Sequence, residues 1–381
     1  MHIEVHSQIS ELAAQQWNAM LPSNNPFMRH EFLAGLEQTH CVCPETGWQP
    51  AHIAAYAAPD RAQLLGVMPC YVKSHSYGEY IFDWAWADAY QRHGLEYYPK
   101  LSNAVPFTPA TGERILTATS ADASQVELAL IEHAMELVTQ TNLSSFHSLF
   151  CTSQQAARFA ASGLLSRHST QFHWHNDHYA TFDDFLAKMS SKKRKNIKRE
   201  RRRVQEAGIQ YRWLTGAELS VETAHKMYQF YARTINHYGA QSYLNREFFE
   251  YLAKHFSQQT LFLFAEHNDV IVAGGLYFRS DDTLYGRYWG ANQQYHSVHF
   301  ETCYYQAIDW CIEHGFQRFE AGAQGEHKLA RGLEPVLTYS AHYLGDPSFQ
   351  NAVSDFLQTE QQHIAHYQSV MASHSPFKVE L

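Results

Sequence analysis

The sequence predicts an α/β protein with mixed sheets, organised as two similar halves. Three observations carry that expectation. Short apolar runs with β-branched residues alternate with helical patterns along the whole chain. Each half shows several strands, a following helix and then further strands, which suggests two related domains, 1–178 and 179–381, meeting near Asn176–Tyr179. The 381 residues are 45% hydrophobic and 14% aromatic, enough length for two domains and enough apolar surface to fill their cores.

In chain order, "IEVHSQI" reads as a strand, and helical patterns follow over Glu11–Met20 and Arg29–Gln38. "PAHIAAYA" and "LLGVMPCYV" read as neighbouring strands. The stretch "KSHSYGEYIFDWAWADAYQRHGLEYYPK" is irregular, and its aromatics, His and acids are too many for a passive loop. A strand near "KLSNAVPF", a helix over Ala121–Gln140, and strands at "SSFHSLF" and "STQFHWH" complete the first half. The second half opens with one helix over Phe182–Ala207, then the strand "IQYRWLT" and helices at Val221–His237 and Arg246–Phe256. "TLFLFAEHNDVIVAGGLYF" predicts a hairpin turning at Asn268–Asp269, and "TLYGRYWGA" a further strand. The helix "HFETCYYQAIDWCIEHG" stops at Gly315, "QRFEAGA" and "LTYSAHYL" are the last strands, and a final helix covers much of Ser348–Ala372.

Whole classes fall away on composition. The amino-terminal residues have neither a basic n-region nor an apolar h-region, and no apolar run is long enough to span a bilayer, so the expected location is cytoplasmic. Six scattered cysteines lack zinc-knuckle spacing and read as reduced thiols. "FHWHNDH" brings His173, His175 and His178 close in sequence, but no Asp, Glu or Cys stands at a recognisable metal-ligand spacing, and no metal is expected. P-loop, GxGxxG, HExxH and GxSxG motifs are absent, which argues against P-loop kinases, Rossmann dehydrogenases, zincins and ordinary α/β-hydrolases.

The strongest anomaly is "KMSSKKRKNIKRERRRV", Lys188–Val204. Ten of its residues are Lys or Arg, in a chain of net charge −9. Met189, Ile197 and Val204 form a thin apolar stripe, so the segment reads as a docked helix with its other faces basic. Glu200 is the only acid within Lys188–Arg203, so pairing inside the helix removes little of the repulsion. Three readings compete: a solvated face, a nonspecific nucleic-acid patch, and a helix lining a polyanion site. The charge density favours the third, with Lys192, Lys195, Lys198, Arg199 and Arg202 as candidate phosphate-binding residues of the donor. No aromatics interleave with the run, so base stacking there is not expected.

Three further constellations bear on chemistry. In "RFEAGAQGEHKLARG", Glu320 ends a strand, Gly322 and Gly325 permit a tight turn, and His327, Lys328 and Arg331 follow. A carboxylate base beside two cations suits a reacting carbonyl or phosphate, although a plain helix start with surface cations gives the same letters. In "YGRYWGANQQYHSVHFETCYY", strand alternation places Tyr285, Arg287 and Trp289 on one face, with Glu301 and Tyr304 on the next helix. Glu301 is a candidate base, or an acid that complements a helix dipole. In "HSYGEYIFDWAWADAY", His75, Glu79, Asp83 and Trp84 suit either an acceptor pocket or an aromatic domain interface.

With those residues in view, the chain resembles the FemAB-like family of predicted N-acyltransferases, a bacterial branch of the GNAT superfamily. The resemblance rests on "NPFMRHEFLAGLE", "KSHSYGEYIFDWAWADAY", "YYPKLSNAVPFTPATGERIL", "KKRKNIKRERRRV", "HFETCYYQAIDW" and "AGAQGEHKLARGLEPVLTYSAHYL", nearly end to end. It implies tandem GNAT-like domains and transfer of an acyl or aminoacyl group from acyl-CoA or aminoacyl-tRNA to a small-molecule or peptide-like amine. Fem-type enzymes carry a glycine turn and an aromatic–Lys pair; here Gly322, His327 and Lys328 stand in analogous positions, with His replacing the aromatic. The resemblance places on Lys328 the holding of an anionic acceptor or the reacting carbonyl. Ordinary acetyltransferases of the superfamily hold coenzyme A on a (Q/R)xxGx(G/A) loop. "GANQQYHSVHFE" lacks those glycines, which counts against coenzyme A. The alternative is a non-catalytic protein on a degenerate GNAT fold that binds RNA or anionic lipid; peripheral contact with an anionic lipid-linked substrate fits the enzyme reading too.

Overall fold

The computed structural model describes residues 1–378 apart from Ser120, Gln294 and Gln324. It is a mixed α/β chain of two compact units. Met1–Ser169 and Leu337–His366 form the first, and Thr170–Val336 and Tyr367–Leu381 the second. The units are therefore not the two contiguous segments expected from the sequence. The strands Leu165–His175 and Glu334–Leu344 and the helix Pro347–Ser373 each carry the chain from one unit into the other.

In the first unit, a proline divides the run "LLGVMPCYV", which reads as one strand, and the run "PAHIAAYA" follows a short strand that ends at its first residue. Proline has no backbone N–H to give a ladder. Pro50 ends Trp48–Pro50 before His52–Tyr56 begins, and Pro69 separates Leu64–Met68 from Cys70–Lys73. The separated strands then join different sheets. His52–Tyr56 and Leu64–Met68 sit between His2–His6 and Leu116–Thr117, all antiparallel. Trp48–Pro50 and Cys70–Lys73 pair with each other, and Cys70–Lys73 continues to Lys100–Asn103, then Ser145–Cys151, then Tyr339–Leu344. Asp122 caps the helix Ala123–Gln140 by accepting from the Ser124 and Gln125 amides. Its stripe of Val126, Leu130, Ile131, Ala134 and Val138 packs on Ile53, Met68, Leu101 and Phe146. The strand at Gly66 approaches so closely that a Cβ there would lie 2.5 Å from Val126 Cγ1. The irregular stretch before Lys100 contains a helix, Trp84–Arg92, and the sequence reading missed another at Ser153–Ala161.

The second unit is a sheet covered on both faces. Gln210–Thr215, Thr260–His267, Val270–Arg279 and Thr283–Ala291 run antiparallel, and the hairpin turns at Asn268–Asp269 with φ of 51° and 59°. Alternation along Thr260–His267 sends Leu261 and Leu263 into the core beneath Phe185, Ile197, Tyr305 and Ile308, while Phe264 meets Phe230 of the helix Val221–His237. The single helix expected over Phe182–Ala207 is two, Phe182–Lys188 and Ser191–Glu206. Met189 between them is extended and bridges to Phe377, the Ser190 amide donates to Pro376 O, and the Lys378 amide donates to Lys188 O. Pairing with the carboxy-terminal segment thus replaces helical hydrogen bonds at the break.

Candidate functional site

The site begins where two parallel strands part. Thr283–Ala291 pairs with Arg318–Glu320 only through Tyr285 opposite Glu320. Beyond that point the ladder ends, and a cleft of about 180 Å³ opens between Gly286–Trp289 on one side and Ala321, Ala323, His327 and Lys328 on the other. Register against Val270–Arg279 slips at this place: Tyr277 faces Gly286 and Leu276 faces Tyr288, leaving Arg287 as an extra residue. Such a bulge re-aims side chains. Simple alternation fails here, and Arg287, Tyr288 and Trp289 all line the cleft, whereas Tyr285 is buried.

The opposite wall comes from the helix that starts at Val298. Its segment Glu301–Tyr305 winds with a wider π-type turn before Gln306–Glu313 resumes α geometry. Consecutive side chains there serve different neighbours. Tyr304 enters the cleft, and its Oη lies 2.8 Å from His327 Nε2. Tyr305 points to the basic helix and donates to Glu200. Glu301 is buried; its Oε1 accepts from Arg201 Nε at 3.1 Å and from Gln306 Nε2 at 2.8 Å. Burial raises its pKa, with Arg201 opposing. Glu301 does not line the cleft.

Charge on the third wall is also committed. Lys328 is buried, and its Nζ donates to Ala321 O, Gly322 O and Ala323 O at 2.8, 2.8 and 3.1 Å. Burial, with Arg287 adding, pulls its pKa down, and the three carbonyl acceptors oppose that by favouring the charged ammonium. Arg331 lies over the Phe300 ring, donates to His327 O at 2.9 Å, and reaches both Glu200 oxygens at 3.3 Å. Burial, with the Arg331 and Lys328 charges, lowers the pKa of His327, which favours its neutral form. Burial and the same cations, with His327, take His299 down to about 4. Glu320, expected as a base, is buried beside Arg318 (3.2 Å) and His173 (3.9 Å), outside the cleft.

The basic helix Ser191–Glu206 has two chemical faces. Ile197 and Val204 are buried, and Arg201 faces inward, clamped between Glu301 and Asp309 over the Phe182 ring. Lys192, Lys195, Lys198, Arg199 and Arg202 are exposed on the outer side. Lys198 meets Asp183 at 2.8 Å and Arg202 meets Glu206 at 3.5 Å, both in solvent. Lys192 and Lys195 have no ion-pair partner among the described residues.

The remaining sequence candidates belong to the first unit. Glu79 and Asp83 are not poised for an acceptor: both bind the buried Lys100, Glu79 at 2.7 Å. Low-dielectric surroundings make an isolated charge costly, so the three stabilise one another. Tyr97 Oη donates to Asp83 Oδ2 at 2.7 Å and lies 3.1 Å from His147 Nε2. His147 Nε2 also lies 2.8 Å from Ser145 Oγ, His147 Nδ1 lies 2.8 Å from His342 Nδ1, and His342 Nε2 lies 2.9 Å from Ser340 Oγ, so the two imidazoles share one buried hydrogen-bonded chain. His75 is half-buried with Nε2 3.0 Å from Thr46 O, and Trp84 is exposed. Among the described residues no group of three or more His, Cys, Asp or Glu is arranged to hold a metal ion, and no helix is long and apolar enough to cross a membrane.

Residues 8–379 match the FemAB_like family, described as peptidoglycan biosynthesis/recognition. The chain belongs to that family. FemAB-like membership suggests acyl-group transfer and a catalytic role. The fold is similar to that of FemX, at TM-score 0.53 and 11% identity, covering 92% of this chain and 99% of FemX. It is also similar to the C-terminal domain (DUF2156) of a putative lysylphosphatidylglycerol synthetase from Agrobacterium fabrum, at TM-score 0.52 and 8% identity, covering 91% and 95%. A conserved protein of unknown function from Bacteroides thetaiotaomicron gives TM-score 0.52 at 11% identity, covering 90% and 100%. No curated protein matches the sequence.

Proposed function

We propose that this FemAB-like chain is an N-acyltransferase of two GNAT-like domains that moves an aminoacyl group from tRNA to an amine. The observation that carries the reading is the cleft at the parted strands, where a neutral His327 meets Tyr304 beside Arg287 and Lys328. The acceptor amine attacks the ester carbonyl, and His327 takes the amine proton and returns it to the departing ribose oxygen. Tyr304 orients the imidazole, and Arg287 stabilises the developing oxyanion. The exposed cations, spread along the helix Ser191–Glu206, favour a long polyanion such as tRNA over the compact phosphates of coenzyme A. That helix is joined to the cleft wall through Glu200, which holds both Tyr305 and Arg331.

The test is incubation of the purified protein with tRNA charged with labelled amino acids and with short peptides as amine acceptors. Enzyme-dependent appearance of labelled, amide-linked product supports the proposal. Transfer from acyl-CoA alone overturns the donor. Tight, salt-dependent tRNA binding without any transfer supports instead a non-catalytic RNA-binding protein.

A further inference from the structure

The Lys328 ammonium has three N–H donors, and three consecutive carbonyls take them. Those carbonyls belong to Ala321–Ala323, the loop that forms one wall of the cleft immediately after the strand Arg318–Glu320. Three part-buried backbone oxygens pointing at one spot repel each other, and a cation among them offsets that repulsion. The turn is built for it: Gly322 sits at φ 76° and Gly325 at φ 113°, conformations that let the chain fold back over the side chain of Lys328. The lysine stem comes from the short helical turn Glu326–Arg331, so the loop and the turn that carries His327 are tied together by one side chain.

We infer that Lys328 is a positioning residue whose ammonium fills a carbonyl cage and fixes the cleft wall Ala321–Ala323, and that it does not itself bond the substrate. This goes beyond the acyl-transfer reading, because it concerns the shape of the loop and holds whatever the donor is. A cage of backbone oxygens also has the chemistry that accepts potassium in other protein settings. The lysine is thus a built-in counterpart of a small monovalent cation, and a variant with the side chain removed has room for a free one.

The experiment compares Lys328→Ala and Lys328→Met by thermal unfolding and by hydrogen exchange at residues 321–327. Each is measured in potassium, methylammonium and choline chloride at equal ionic strength. Met retains the volume of the lysine stem and blocks the cage, so K328M is destabilised to the same degree in all three salts. K328A is destabilised in choline but regains thermal stability and loop protection in potassium or methylammonium, as does transfer activity in the assay above. Rescue by potassium, which carries no proton, separates this role from acid–base catalysis, which only amines restore. A K328A protein that folds only with potassium or methylammonium is the same positive result. The inference is overturned if K328A behaves alike in all three salts, folded or not, or if loop exchange is unchanged by loss of the ammonium. Failure of transfer with successful cation rescue of the loop would count against the acyl-transfer reading alone.

Discussion

Tyr304 Oη and His327 Nε2 lie 2.8 Å apart across the cleft, on segments separated by the strand Arg318–Glu320. The π-type turn makes the contact: it lets Tyr304 face His327 while Tyr305, the next residue, faces Glu200. Removing the hydroxyl leaves the ring in place and frees the imidazole. Tyr304→Phe is therefore expected to lower single-turnover transfer about tenfold to a hundredfold, up to the lower end of acid–base contributions because Tyr304 only orients the base, with tRNA affinity unchanged. The rate at saturating donor is the check.

Neighbouring arginines of the basic helix should behave differently. Arg201 lies between Glu301 and Asp309, and its loss leaves Glu301 buried and uncompensated. Arg201→Met is expected to cost about 3–5 kcal/mol of stability, as breaking buried pairs does. Arg202 is exposed, so Arg202→Met should stay within about 0.5 kcal/mol. Urea denaturation of the two variants tests the contrast.

Reversal of the outer face should act on binding and not on folding. Lys195→Glu with Arg199→Glu is expected to weaken tRNA binding and to flatten the dependence of log Kd on log salt by roughly 0.7–0.9 for each phosphate that the helix no longer neutralises. An unchanged salt slope would remove this helix from the donor site.

In the first unit, Lys100→Met leaves the buried Glu79 and Asp83 without their cation and should destabilise by about 3–5 kcal/mol. Combining it with Glu79→Gln and Asp83→Asn should recover much of that loss, because all three charges of the cluster are then replaced by neutral groups.

The histidine chain sets an acid limit. Burial, with Lys100 adding, lowers the pKa of His147 to about 3, and burial with His147 lowers that of His342 well below its usual value. The unfolded chain takes up protons near the ordinary histidine value of about 6.5, and the folded chain does not. Stability is therefore full above that pH and is lost as pH falls toward about 3. The expected slope is roughly 1.4 kcal/mol per pH unit for each histidine. Urea midpoints between those limits should show it, and a flat profile would contradict the neutral His147–His342 pair.

Much of the fold was legible because periodicity reports which face of an element is apolar. The hairpin at Asn268–Asp269 and the stripe of Ile197 and Val204 followed from local chemistry alone. Features that depend on distant partners were not legible. Nothing in "MSS" announces that Met189 pairs with Phe377, and nothing in "YGRYWG" marks Arg287 as the bulged residue. The candidate site divides in the same way. Arg287, Tyr304, His327 and Lys328 were named from sequence and line one cleft, joined by His299 and Cys303, which were not named as site residues. Glu79, Asp83, Glu301 and Glu320 look catalytic as letters, yet each lies buried against a cation that sequence spacing does not reveal.

The most direct measurement is single-turnover transfer from labelled aminoacyl-tRNA to a peptide amine by the wild-type and His327→Ala proteins, matched for thermal stability. The account predicts transfer by the wild type and a loss of roughly a hundred- to ten-thousandfold in the variant, with equal tRNA affinity. Equal rates in the two proteins, or no transfer by the wild type, would contradict it.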